Sequence, residues 1–128
     1  MRGIALAAQA GAPLYVVHMN AAGEVDQLEY ARQRNLPVMG ETCPQYLFFT
    51  EDHLRRSDGA KWVCSPPVRE AADNDRLWEG LSRGILQTVA TDHCPFFYNG
   101  TKAIIFDGQL VAMPGKELGR DDFSKIPN

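Results

Sequence analysis

Short apolar runs rich in β-branched residues alternate along this chain with longer stretches in which apolar residues recur at helical spacing. Pro13-Leu-Tyr-Val-Val-His18 is nearly continuous in its apolar character, the pattern of a strand buried on both faces. Leu36 to Met39 is a second short run of this kind, and Gln87-Thr-Val-Ala-Thr-Asp92 is a third. Between the first two, Val25, Leu28, Tyr30 and Ala31 are interleaved with Glu24, Asp26, Glu29, Arg32 and Arg34, which predicts a surface helix over 22–34. Before the third, Leu77, Trp78 and Leu81 fall on one side of a helix predicted over 73–83, and Gly84 stands just past its end. An Ala-rich helix over 3–10 ends at Gly11, and a brief extended segment over 61–64 is stopped by Pro66-Pro67. From His93 onward turn-forming residues dominate, and a long loop is expected. The alternation predicts an α/β fold in which 13–18, 36–40 and 87–92 are parallel strands with helices between them.

Composition narrows the class. The chain has 128 residues, 45% hydrophobic and 23% charged, the make-up of a folded unit rather than a solvated tail. A formal net charge of -3 gives no basic field, so neither nucleic acid nor an anionic membrane is an expected partner. No apolar run approaches the roughly 20 residues needed to span a bilayer. Gln9, Pro13 and Tyr15 interrupt the apolar opening that would otherwise resemble a leader, so a cytoplasmic location is expected. Three cysteines, Cys43, Cys64 and Cys94, are too few and too widely spaced for a disulfide framework or a zinc knuckle, and packing is their default role.

Chemistry is expected where polar residues close the strands. In parallel α/β barrels the functional groups sit at the C-terminal ends of strands, where side chains from different strands converge. His18 closes the first predicted strand and Asp92 the third. Imidazole and carboxylate are both good ligands for zinc or a related divalent ion, and a carboxylate beside an activated water can take its proton. Each has a structural alternative, since a single His at a strand end often serves as a hydrogen-bonded structural residue and a single Asp as a cap or turn former.

The strings Val17-His18-Met19, Gly40-Glu-Thr-Cys-Pro-Gln-Tyr-Leu47, Cys64-Ser-Pro-Pro-Val-Arg69, Thr91-Asp-His-Cys-Pro-Phe96 and Gly119-Arg-Asp-Asp-Phe-Ser-Lys-Ile-Pro-Asn128 resemble successive blocks of the dihydropyrimidinase/D-hydantoinase family, in the family's order. The resemblance implies a hydrolase that opens the C–N bond of a cyclic amide or imide on a (β/α)8 barrel carrying a pair of metal ions, usually zinc. It places this chain as a partial barrel, roughly the last three strands with their helices and a long C-terminal loop. His18 matches a metal-binding His of the family. Asp92 matches the Asp that binds metal and moves the proton from the attacking hydroxide to the leaving nitrogen. Ser65 and Asn128 match positions that hydrogen-bond the ring's imide or amide edge. The family is also expected to form homo-oligomers.

The same resemblance implies what is missing. The family's His-x-His pair, its carboxylated lysine and a further metal-binding His have no counterpart in this chain, nor does the small β-domain, so 1–128 is read as one fragment of the catalytic barrel. With His18 and Asp92 alone the ligand count falls below the three protein ligands typical of catalytic zinc. The chain by itself is expected to be inactive, and an uncovered sheet is expected to associate with another chain. Two other readings stay open: a non-catalytic scaffold of the collapsin-response mediator kind, and a sister enzyme such as allantoinase or dihydroorotase. Of the remaining polar residues, Glu41 is expected to be a buried, hydrogen-bonded carboxylate and His53 a solvated side chain. His93 is expected either to support Asp92 or to make a structural hydrogen bond, and Arg69 to anchor the Pro-Pro loop through a carboxylate.

Overall fold

The computed structural model describes residues 2–92, 104–106 and 109–111. They fall into two compact units, one comprising the described residues up to Thr50 together with Arg69–Asp92, the other Glu51–Val68 with the described residues beyond Asp92.

The first unit begins with α1 (Arg2–Ala10), which ends where Gly11 takes a φ of 62°. Next come β1 (Leu14–Val16), α2 (Ala22–Gln33), β2 (Val38–Thr42), α3 (Pro44–Phe48), α5 (Ala71–Ser82) and β3 (Thr88–Val89). The strands form one parallel sheet in the order β1-β2-β3, with Leu14 opposite Val38 and Glu41 opposite Thr88. Parallel pairing is the expected result of strands joined through helices. All three predicted strands are present; β1 and β3 are shorter than expected, while β2 keeps its expected length and is displaced toward the C-terminus, running to Thr42 rather than ending at residue 40.

Helices α2 and α5 cover one face of this sheet. Val25, Leu28 and Ala31 of α2 and Leu77 of α5 are at most 1% exposed, which is the helical periodicity expressed as burial. The backbones approach closely because two glycines permit it. A Cβ at Gly40 would strike Leu28 and Met19, and one at Gly80 would press on Val25 and Leu86. On the solvent side Arg76 joins the two helices through Asp26 at 2.9 Å and Glu29 at 2.6 Å, and Arg83 pairs with Glu29 and Glu79. Their N-termini are tied as well. Asp73 accepts the Ala22 N–H at 2.7 Å and the Glu70 N–H at 3.2 Å, so one carboxylate serves both helix starts.

The other sheet face corrects one expectation. The run 13–18 is not buried on both faces: Tyr15 is 42% and Val17 47% exposed, and Met39, opposite Tyr15, is 49% exposed. Helices lie on one side only, so the apolar residues pointing the other way stay accessible among the described residues.

The second unit contains α4 (Glu51–Leu54), a 3-10 turn (Gly59–Trp62) and the strands β4 (Ile104–Phe106) and β5 (Gln109–Val111), which pair antiparallel. Two expectations are corrected. Residues 61–64 are not extended throughout, because Lys61 and Trp62 complete the 3-10 turn, where the Lys61 N–H donates to the Asp58 carbonyl at 3.0 Å. The stretch beyond His93 is not loop throughout, because the β-branched and aromatic run Ile104-Ile105-Phe106 pairs antiparallel with Gln109–Val111.

Candidate functional site

Three segments of the first unit bring polar side chains to one edge of the sheet. The chain leaves β1 at Val16 and turns sharply at His18, whose φ is 56°. The Met19 N–H then donates to the Glu41 carbonyl at 2.8 Å, and the buried Thr42 hydroxyl donates to the Met19 carbonyl at 2.7 Å. These bonds lock the exit from β1 onto the end of β2. Beyond β3, the Ala90 N–H donates to the Thr42 carbonyl at 3.1 Å, and the chain reaches Asp92 with a φ of 45°. Left-handed backbone costs roughly 1–2 kcal/mol per non-glycine residue and persists where surrounding contacts hold it, commonly at functional sites. His18 and Asp92 adopt it, as does Asn35, a residue type that tolerates this conformation at a helix end.

The two strand-end residues converge. His18 Nδ1 lies 3.7 Å from Asp92 Oδ2, although β2 separates their strands. Their side chains are 30% and 49% exposed, so the pair is open to solvent. At 3.7 Å the contact is too long for a direct hydrogen bond and leaves the imidazole and the carboxylate side by side as two donor groups. Cys43 Sγ lies at the same distance, 3.7 Å, from His18 Nδ1.

Glu41 was expected to be a buried, hydrogen-bonded carboxylate, and it is. It is 9% exposed and accepts the Tyr15 phenol at 2.7 Å. Donation to this carboxylate stabilises the neutral phenol and raises the Tyr15 pKa above its ordinary 10.0, against a smaller opposing effect from the Thr88 hydroxyl. The sequence reading missed that Glu41 and Cys43 stand beside His18. Placing the second strand over 36–40 put Glu41 at its end but left Cys43 in the loop that follows. With the strand running to Thr42, they take alternate positions at its end.

The other expected residues are distributed differently. Ser65 is exposed in the second unit, ahead of a cis peptide to Pro66, and Asn128, His93 and Cys94 lie outside the described residues. His53 is not simply solvated: it is half-buried, and its ring packs edge-on against Trp62 with centroids 4.9 Å apart. Arg69 is exposed and makes no ion pair among the described residues. Cys43 is buried and Cys64 partly so, in keeping with packing roles, and neither forms a disulfide.

The donor chemistry at this edge fits a divalent cation. An imidazole nitrogen and a carboxylate 3.7 Å apart match the spacing of two ligands on one ion bound at about 2.0–2.2 Å from each. Two such donors fall short of a full catalytic set. No helix among the described residues is long and apolar enough to cross a membrane.

No protein-family model matches the chain. Individual relatives do. The D-hydantoinase of Streptomyces coelicolor is 51% identical across 99% of this chain, which spans 25% of that enzyme, and the D-hydantoinase of Geobacillus stearothermophilus is 43% identical with 99% and 24% covered. Among solved structures, dihydropyrimidinase from Brevibacillus agri NCHU1002 superposes with a TM-score of 0.77 at 50% identity, over 99% of this chain and 25% of that one. The chain therefore spans about a quarter of the length of the relatives it matches, and over that quarter it belongs to the D-hydantoinase/dihydropyrimidinase family.

Proposed function

We propose that this chain supplies part of the active site of a hydrolase that opens cyclic amides or imides of the hydantoin and dihydropyrimidine type. The observation that carries the reading is the approach of His18 Nδ1 to Asp92 Oδ2 at 3.7 Å, made by two residues in strained backbone at the ends of non-adjacent parallel strands. The likeness to D-hydantoinases over the whole of this chain supports the substrate class. In this reading the chain forms roughly the last three strands of a (β/α)8 barrel, and the exposed face bearing Tyr15, Val17 and Met39 is covered by the rest of that barrel.

A cyclic amide is a poor electrophile, so its hydrolysis needs a polarised carbonyl, an activated water and a route for one proton. When bound, a divalent ion, zinc in the first instance, supplies the Lewis acidity for the first two. His18 and Asp92 would hold it together with ligands from outside this chain. Asp92 takes the proton of the attacking water as the C–O bond forms, and delivers it to the ring nitrogen as the C–N bond breaks. The carboxylate is thereby regenerated, and the product is the ring-opened acid. Its 49% side-chain exposure leaves it accessible to a substrate arriving from solvent. Ser65 and Asn128 are assigned to hydrogen bonds with the ring's amide edge, which orient the carbonyl. The complete enzyme is expected to be a homo-oligomer.

The test is a chimera in which this chain replaces the corresponding quarter of the Streptomyces coelicolor D-hydantoinase. With zinc present it should open hydantoin or dihydrouracil, while residues 1–128 alone should not. A well-folded chimera that binds zinc and opens neither ring would favour the scaffold reading.

A further inference from the structure

We propose that His18, Glu41 and Cys43 form a binding site for a thiophilic divalent cation, one that includes a sulfur donor and does not depend on the hydrolase reading. The His18 ring nitrogen, a Glu41 carboxylate oxygen and Cys43 Sγ all lie within 4.8 Å of one another. Sγ and Nδ1 are 3.7 Å apart, close to the roughly 3.6 Å that a tetrahedral ion imposes on sulfur at about 2.3 Å and nitrogen at about 2.0–2.1 Å.

The three donors come from two segments fixed to each other. Glu41 and Cys43 sit two residues apart at the end of β2, so their side chains leave the same side of the chain. His18 is brought against them by the bonds from Met19 N–H to the Glu41 carbonyl and from the Thr42 hydroxyl to the Met19 carbonyl. The site is also supported from outside. Tyr15 donates to Glu41 Oε2 at 2.7 Å, which fixes the carboxylate's orientation in the way that hydrogen-bonded neighbours fix metal ligands. Cys43 is fully buried and Glu41 is 9% exposed, while His18 is open enough to admit an ion. Sulfur with imidazole and a single carboxylate selects a borderline or soft ion over magnesium or calcium, which require oxygen donors. On binding, the thiol proton leaves to buffer and the thiolate takes its place as a ligand.

The probes are Co2+ and Cd2+, added to the metal-free, reduced 128-residue chain while sulfur-to-metal charge-transfer absorption is recorded. One equivalent of ion should generate the band. It should vanish in Cys43→Ser and persist in Cys64→Ser and Cys94→Ser. His18→Ala and Glu41→Gln should weaken binding by at least about tenfold. Near-UV circular dichroism establishes whether each variant keeps the wild-type fold, and 113Cd NMR of the wild-type chain reads the donor set without any substitution. A shift showing one sulfur with nitrogen and oxygen supports the site. An all-oxygen shift, no bound ion, or a charge-transfer band that survives Cys43→Ser overturns it. Because no turnover is measured, failure here leaves the hydrolase proposal standing, and an inactive chimera leaves this site standing.

Discussion

Replacing Thr42 with Val removes one hydroxyl from the fully buried end of β2 and keeps the side chain's shape. That hydroxyl donates to the Met19 carbonyl at 2.7 Å, and Met19 follows His18 directly. A net buried hydrogen bond contributes about 0.5–1.5 kcal/mol, and a partner left without one costs about 1–3 kcal/mol. The variant should therefore lose about 1–3 kcal/mol, a fall of roughly 5- to 150-fold in the folding equilibrium constant. Thr42→Ser keeps the donor and removes one methyl group, and should lose about 1 kcal/mol. Urea unfolding of the purified chain, followed by tryptophan fluorescence, compares them, with unchanged m-values showing that the endpoint states are the same. The bond also holds His18 in place, so Thr42→Val should weaken Cd2+ binding while Thr42→Ser should not. A Thr42→Val chain as stable as Thr42→Ser, with cadmium affinity intact, would refute the claim that this bond fixes the strand end.

Leu77→Ala should cost about 2–5 kcal/mol in the same unfolding experiment, because Leu77 of α5 is fully buried. Gly84→Ala should cost about 1–2 kcal/mol although a Cβ there meets nothing within 4 Å, because φ is +64° and the penalty lies in the backbone alone. Tyr15 should ionise above the ordinary tyrosine value of 10.0 in a spectrophotometric titration, and Tyr15→Phe should remove that late component. Since its folded pKa is raised, the stabilisation is fully present below pH 10.0 and is lost as pH rises through the higher folded value. Stability of the wild-type chain should accordingly fall toward that of Tyr15→Phe at strongly alkaline pH.

The apolar runs ending at His18 and Asp92 made the strands and their parallel order legible, because β-branched runs separated by helical periodicity admit few arrangements. Helical spacing in α2 and α5 identified Val25, Leu28 and Leu77 from the sequence alone. Burial of the 13–18 run was misjudged because an apolar run looks the same whether its second face meets this chain or another. The strand end at Thr42 was missed for a different reason. Glu41 and Thr42 are polar, and a pattern read from hydrophobicity stops at Met39, whereas their places are fixed by the Tyr15 phenol and the Met19 carbonyl, two partners distant in sequence. Cys43 went unrecognised beside His18 because its neighbours in space lie on another strand.

The central claim is that Asp92 moves the proton during ring opening, and the most direct measurement is the turnover of the Asp92→Asn chimera against the Asp92 chimera at matched zinc content. An amide can neither accept that proton nor carry the negative charge, so kcat should fall by about 10²-fold or more while the chimera stays folded. Unchanged kcat in Asp92→Asn would contradict the account.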